Sequence, residues 1–421
     1  MLERRNPISI GEAVRQIMNH QISGGTEYVS INESYGRYLS EDLIATSNVP
    51  HFDRAPYDGF AVRSIDTLEA SQSNPVELKV IDHLGAGMVS AKTVGEKQAV
   101  RIMTGAMMPN GTDAVVMFEV AKDYEKNGVP YMSIKRKINK GTNVSFTGED
   151  AKQGEVLVEK GTLINPGIQA MLATFGYNEV PVSKKPLIGL FATGTELLEV
   201  NEALEPGKIR NSNSYMIAAQ IERAGGNVHY FGKLPDEFDT CFEAVKDALN
   251  EVDLLITTGG VSVGDFDYLP GIYEKLGAEV LFNKVAMRPG SVSTVAVYNG
   301  KILFGLSGNP SACYVGFELF ARPIIRTQLF SNRPHLRKEK ALLEVDFPKA
   351  NPFTRFVRSA TFIDEGKLKS TPSGLDKSNI IMSLAGANSL MILPGGTRGF
   401  KAGTEVEVLL LEDQIGSEWP W

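Results

Sequence analysis

Three short stretches of the chain combine glycine with hydroxyl or amide side chains. They are Ala192-Thr193-Gly194-Thr195-Glu196-Leu197, Thr257-Thr258-Gly259-Gly260-Val261-Ser262-Val263-Gly264-Asp265-Phe266-Asp267 and Leu306-Ser307-Gly308-Asn309-Pro310-Ser311. Where such a loop precedes a helix, unpaired backbone N–H groups and the helix dipole favour an anion. Gly194, Gly259, Gly260, Ser262, Gly264, Ser307, Gly308, Asn309, Pro310 and Ser311 are therefore candidate contacts to a phosphate-bearing ligand. None of the loops reads GxxxxGK[ST], which excludes a P-loop, and none reads GxGxxG, the dinucleotide fingerprint. A tight turn is the alternative for any one loop; three of them on consecutive strand ends favour a common cradle.

Carboxylates accompany the loops: Glu196 in the first, Asp265 and Asp267 in the second, and Asp236 in Leu234-Pro235-Asp236-Glu237. Carboxylates beside phosphate oxygens suit Mg²⁺, a hard ion that keeps several waters. The alternatives are a helix cap at Asp236 and a solvated side chain at Glu196. Positive charge comes from Lys284 and Arg288 in Asn283-Lys284-Val285-Ala286-Met287-Arg288-Pro289-Gly290-Ser291. Arginine suits bidentate contact with an oxyanion, and the alternative is a solvated loop.

The elements that must position these residues change along the chain. The first forty-odd residues read as helix, strand, helix, with Ser9 as N-cap and Glu12 three residues on. Residues 49–146 carry short alternating strands separated by glycine turns, a mostly β segment. A helix is expected from Asn165-Pro166-Gly167 to about Gly176. From 186 to 330, continuous apolar strands alternate with helices, which predicts a parallel sheet covered on both faces. Ligands in such sheets bind beyond the carboxyl ends of the strands, where the three loops fall. Arg333-Pro334-His335 reads as a linker, and strands without helices from 331 to 421 predict a small β-barrel or sandwich.

Bulk composition excludes several classes. The chain has 421 residues, enough for about three domains. Its net charge of -7 argues against a broad nucleic-acid-binding surface. Two cysteines make neither a disulfide framework nor a CxxC metal site, and fit a reducing cytoplasm. No signal-peptide pattern and no run of about 18 apolar residues is present, so no membrane span is expected. Five histidines without an HExxH pair argue against a zinc hydrolase.

At this point the residues carry a family. The 257–267 loop resembles the signature of molybdopterin-binding α/β domains, and Leu306–Ser311 is similar to that family's LPGNP loop. Pro50-His51-Phe52-Asp53-Arg54-Ala55-Pro56-Tyr57-Asp58-Gly59-Phe60-Ala61 resembles PxFDxSxxDGYA. Arg101-Ile102-Met103-Thr104-Gly105-Ala106-Met107-Met108-Pro109 resembles RIxTGAxxP, and Gly148-Glu149-Asp150 completes the set. Together they resemble the MoeA and gephyrin E-domain family over essentially the whole chain. The resemblance implies a multidomain α/β plus β fold. Its parts are an elongated N-terminal region (1–48 and 147–185) carrying an inserted β domain (49–146), a three-layer α/β molybdopterin-binding domain (186–330) and a C-terminal β-barrel (331–421).

The resemblance further implies a cytoplasmic transferase that inserts molybdenum from molybdate into adenylated molybdopterin, releasing AMP. It implies a Mg²⁺ cofactor on Glu196, Asp236 and Asp267, and a homodimer whose pocket lies between the α/β domain of one subunit and the β insertion of the other. Asp58, Thr104, Glu196, Asp236, Asp267, Lys284, Arg288 and Pro310 fall on family motif positions, and Arg358 and Ser383 on a looser C-terminal match. A transient contact with a MogA-type adenylyltransferase is a further expectation. Molybdopterin adenylation and a gephyrin-like scaffold role are the competing functions. The family's KPGKP is here Arg288-Pro289-Gly290-Ser291-Val292, and LPGNPVS is Leu306-Ser307-Gly308-Asn309-Pro310-Ser311-Ala312. Both departures touch the expected oxyanion pocket.

Overall fold

The computed structural model describes residues 6–234, 237–260, 268–349, 351–413 and 416–421. The chain divides into two compact units, Met1–Glu41 with Lys160–Gln169 and Asn178–Trp421, and Asp42–Glu159 with Ala170–Tyr177.

The smaller unit is built on a six-stranded sheet of the strands Ala114–Met117, Gly59–Val62, Gln98–Ile102, Val76–Leu84, Val129–Ile134 and Ala121–Lys126, in that order. Alternation sorts its side chains into two cores. Phe60, Val62, Ala99, Ala114 and Val116 share one cluster, while Ala61, Val100, Ile102 and Val115 share another. Successive residues of a strand point to opposite faces, so a fully apolar strand requires both faces to be covered. The unit extends beyond the expected 49–146. Leu43–Ile44 pairs with Val156–Val158, the Tyr177 hydroxyl donates to the Ile44 carbonyl, and the Thr46 hydroxyl donates to that of Phe175. These bonds tie 42–48, 147–159 and 170–177 to one another, and all three segments belong to the smaller compact unit.

In the larger unit the helix Ile10–Met18 is capped by Ser9, whose Oγ accepts the Glu12 N–H at 3.2 Å. Its buried stripe of Ile10, Ala13, Val14 and Ile17 joins the main apolar core. The second helix expected in the first forty residues is only the 3₁₀ turn Ile31–Glu33. There the Ser34 hydroxyl donates to the Ile31 carbonyl and competes with helix propagation. The strand Thr26–Ser30 pairs instead with Glu179–Ser183.

The α/β part runs β1 (Leu187–Ala192), α1 (Asn213–Ala224), β2 (Asn227–Lys233), α2 (Phe238–Glu251), β3 (Leu254–Thr258), α3 (Leu269–Leu276), β4 (Glu279–Phe282), β5 (Met287–Arg288), β6 (Thr294–Tyr298), β7 (Lys301–Leu306), α4 (Pro310–Gly316) and α5 (Arg322–Gln328). The sheet order is β2-β1-β3-β7-β6-β4. The first four strands are parallel, as expected, but β6 runs antiparallel to both β7 and the edge strand β4, so the sheet is mixed. The reversal follows from Asn299-Gly300, both at positive φ (49° and 76°), which close β6 and β7 into a two-residue hairpin.

Between α4 and α5 the segment Phe317–Ala321 is π-helical. It carries Glu318, 1% exposed, whose Oε1 accepts from Gln220 and Arg223 of α1 at 2.6 and 2.5 Å. The C-terminal part adds β8 (Arg337–Leu343), β9 (Thr354–Asp364), β10 (Lys367–Pro372), β11 (Ser389–Leu393) and β12 (Glu405–Leu410). Pairing runs β9-β10-β8-β12-β11 and back to β9, which closes a barrel. β5, from the α/β part, lies parallel on β9 with Arg288 opposite Arg355. Among the described residues no helix is long and apolar enough to cross a membrane.

Candidate functional site

The strands β1, β3 and β7 are parallel neighbours, so the three glycine loops emerge together at one edge of the sheet. The loops also touch. The Thr193 N–H and hydroxyl donate to the Thr258 carbonyl at 2.9 and 3.1 Å, and the Gly259 N–H donates to the Leu306 carbonyl at 2.8 Å. Gly259 has φ +89°, and a Cβ there would stand 2.6 Å from the Thr193 hydroxyl. Only glycine fits this crossing without displacing the first loop. The third loop is anchored from α1, where the Asn213 amide donates to the Gly308 carbonyl at 2.8 Å. Gly308 and Asn309 are exposed, and Pro310 opens α4. Ser307 accepts the Asn309 N–H at 3.3 Å. Ser311 is buried, its hydroxyl donating to the Ile380 carbonyl of the barrel at 2.5 Å.

Beyond the third loop lies a cavity of about 420 Å³. The α/β part lines it with Arg288, Ser291, Ser307 and Asn309, and the barrel contributes Arg355, Asp376 and Lys377. The first loop does not lead straight into a helix. It forms a short ribbon, Leu197–Leu198 with Ile209–Arg210, before α1. Glu196 is exposed and folds its carboxylate toward Gly194, which has φ +137°. Lys284 is half-buried, with its carbonyl accepting the Ile8 N–H at 3.2 Å.

Of the proposed metal set, Glu196 is described, whereas Asp236 and Asp267 lie outside the described residues, as do Ser262 and Gly264.

Arg358 and Ser383 do not present themselves to a ligand as expected. Arg358 is 1% exposed. Its Nε donates to the Ser383 hydroxyl at 3.3 Å, Nη1 to Asp376 at 3.0 Å, and Nη2 to the Leu375 and Lys377 carbonyls at 3.3 and 3.2 Å. Burial pulls the guanidinium below its usual range, and Asp376 opposes that shift. A buried cation must be paired and hydrogen-bonded, so these donors are committed to the barrel's own loop.

The sequence reading did not single out Arg355, Asp376, Lys377 or Asn213. The barrel residues belong to no motif, and only the folding of β5 onto β9 carries them to the loops. Asn213 is the first residue of α1, and its contact with Gly308 belongs to no motif.

In the smaller unit the Asp58 Oδ1 accepts both the N–H and the hydroxyl of Thr104, at 2.7 and 2.9 Å. These bonds, the backbone one foremost, hold the carboxyl below its usual range, aided by Arg101. Asp53 repeats the arrangement with Thr147, at 2.8 Å for both bonds. Each threonine precedes a glycine at positive φ, Gly105 (83°) and Gly148 (74°). The loop 53–58 is thereby held at both ends.

Comparison with known proteins covers most of the chain in three stretches. Residues 8–176 match the MoeA N-terminal region (domain I and II), 189–327 the probable molybdopterin binding domain, and 340–411 the MoeA C-terminal region (domain IV). The chain is 61% identical over 421 residues to a molybdopterin molybdenumtransferase of Bacillus subtilis, covering 100% of this chain and 98% of that protein. It is 50% identical to the like-named protein of Staphylococcus aureus strain COL, covering 99% of each. The solved structure of a molybdopterin biosynthesis moeA protein from Pyrococcus horikoshii superposes with a TM-score of 0.82 at 30% identity, covering 96% of this chain and 100% of that one.

Proposed function

The chain belongs to the MoeA family, and on that premise we propose that it is a transferase that inserts molybdenum from molybdate into adenylated molybdopterin, with release of AMP. One observation carries the reading from the geometry: a cation-lined cavity opens beside three touching glycine loops on one sheet edge. The loops suit a phosphate ester, and the cavity suits a small oxyanion. The two dithiolene thiols of the pterin would ligate the molybdenum delivered beside them, one molybdate oxygen leaving as water with their protons, and water would cleave the phosphoanhydride to release AMP. The protein's contribution is placement and charge neutralisation, with no covalent nucleophile. Cys313 is fully buried, and burial pushes its thiol far above its usual range, which leaves it inert.

Arg288 and Lys377 draw molybdate toward the loops, and Arg358 holds the barrel loop that bears Lys377. Lys284 adds charge near the same strands. Glu196, an exposed oxygen donor beyond β1, fits one position of a Mg²⁺ shell, with Asp236 and Asp267 as its partners. Such an ion supplies charge neutralisation at the phosphoanhydride. We place the protein in the cytoplasm as a homodimer, the Asp58–Thr104 pair of one copy completing the pocket of the other, and in transient contact with a MogA-type adenylyltransferase.

The competing reading, molybdopterin adenylation, calls on the α/β domain alone and leaves both flanking parts without a role; a scaffold role calls for no turnover at all. Purified protein supplied with adenylated molybdopterin, molybdate and Mg²⁺ is expected to release AMP and to yield cofactor that activates an apo-molybdoenzyme. Absence of molybdate-dependent AMP release would overturn the proposal.

A further inference from the structure

Asp376 sits where three cations converge. Its Oδ2 accepts from Arg355 Nη1 at 2.6 Å and lies 3.7 Å from Lys349 Nζ, while Oδ1 accepts from Arg358 Nη1 at 3.0 Å. The carboxylate is 4% exposed, so this is a low-dielectric cluster, not a solvated surface pair. Three positive charges share one negative charge, which leaves two positive charges in excess. Arg288 and Lys377 line the same cavity.

The three cations are not equivalent. Arg358 has spent its donors on Ser383, Asp376 and two carbonyls. Lys349 is half-exposed and donates to the Asp376 carbonyl at 2.7 Å. Arg355 differs: Nε donates to Asn351 Oδ1 at 2.6 Å and Nη1 to Asp376, but Nη2 has no acceptor among the described residues. Asn351 is itself buried and fixed by a bond from its amide to the Thr397 hydroxyl at 3.1 Å. The guanidinium is therefore clamped along one side, and the residue lines the cavity.

We propose that Arg355 is the guanidinium that contacts the oxyanion in this pocket, and that Asp376 and Asn351 are its positioning residues. The pocket so built selects a tetrahedral oxyanion carrying two negative charges over a singly charged one. The clamped fork loses little freedom on binding, which an unrestrained lysine would not match. This inference rests on the molybdenum-insertion reading for the ligand's identity, but its geometry does not depend on turnover.

The test is equilibrium binding of molybdate to the full-length protein, alongside the molybdate KM for AMP release. Wild type is expected to bind molybdate and to prefer it over nitrate, a singly charged oxyanion. Arg355→Gln should weaken binding and raise the molybdate KM by about tenfold or more, the usual value of one charged hydrogen bond. Its KM for adenylated molybdopterin and its melting temperature should change little. Arg355→Lys should recover only part of the loss. Asp376→Asn should also weaken binding; if it fails to fold, Arg355→Gln still decides. Molybdate binding by Arg355→Gln equal to wild type, or no binding by wild type, would overturn the inference. Loss of AMP release in wild type with the binding difference intact would instead overturn the functional reading.

Discussion

Gly259 shows how a single atom governs the site. Its φ of +89° is costly for any residue with a Cβ, and that atom would press on the Thr193 hydroxyl and carbonyl. Gly259→Ala is expected to lower stability by about 1–3 kcal/mol, read from the urea midpoint. It should reduce AMP release by more than that loss of folded protein explains, because the first two loops can no longer touch. Activity in proportion to folded protein would refute the coupling of the loops. The glycine loops were legible in the sequence because their geometry is local: the same few residues that mark the turns also make the contacts between loops. Arg355 was not, since its role depends on Asn351 and Asp376, which belong to no motif and are brought to it only by the fold. Arg358 was legible as an arginine on a looser family match but not as a buried one, because its partners, two side chains and two backbone carbonyls, lie in segments that no periodicity announces.

At the scale of elements, the apolar runs of β1, β3 and β7 were readable as buried strands, and their parallel register places the loops at one edge. The antiparallel turn of β6 was not drawn from the sequence although its signal is present. Asn299-Gly300 is a strong hairpin marker, but the regular alternation of strand and helix before it favoured a further crossover. Gly300→Ala should cost about 1 kcal/mol, since the residue must keep φ +76°. Register in this hairpin is also set by the buried faces of Val295, Ala296, Leu303 and Phe304, so the third loop should stay in place. The expectation is a lower urea midpoint with an unchanged molybdate KM. A raised KM would show that the turn, not the packing, sets the register.

For the whole molecule, His335 couples folding to pH. It lies between the α/β part and the barrel, where a linker was expected, and is tied to Ser417 by two backbone hydrogen bonds of 3.2 and 3.0 Å. The imidazole is 3% exposed, packs edge-on to Trp419 at 5.5 Å, and has its pKa pushed down to about 4 by burial and by Arg322. The unfolded chain takes up this proton near pH 6.5, the folded chain only near 4. Stability is therefore fully present above about 6.5 and falls as the pH drops from there to about 4, by of order 3 kcal/mol for this group. His335→Gln should flatten that part of the melting-temperature profile, and an unchanged slope would assign the acid sensitivity elsewhere. The α/β part and the C-terminal barrel were legible because each has its own strand and helix rhythm, whereas the joining of 42–48 to 170–177 rests on bonds between residues more than a hundred positions apart. Because β5 is laid down with the α/β part yet pairs with β9 of the barrel, neither portion can be exchanged for a relative's as a ready-made module. A chimera cut at 331 would have to match a borrowed ribbon to a foreign edge, and its first casualty would be the Arg288–Arg355 wall of the oxyanion chamber.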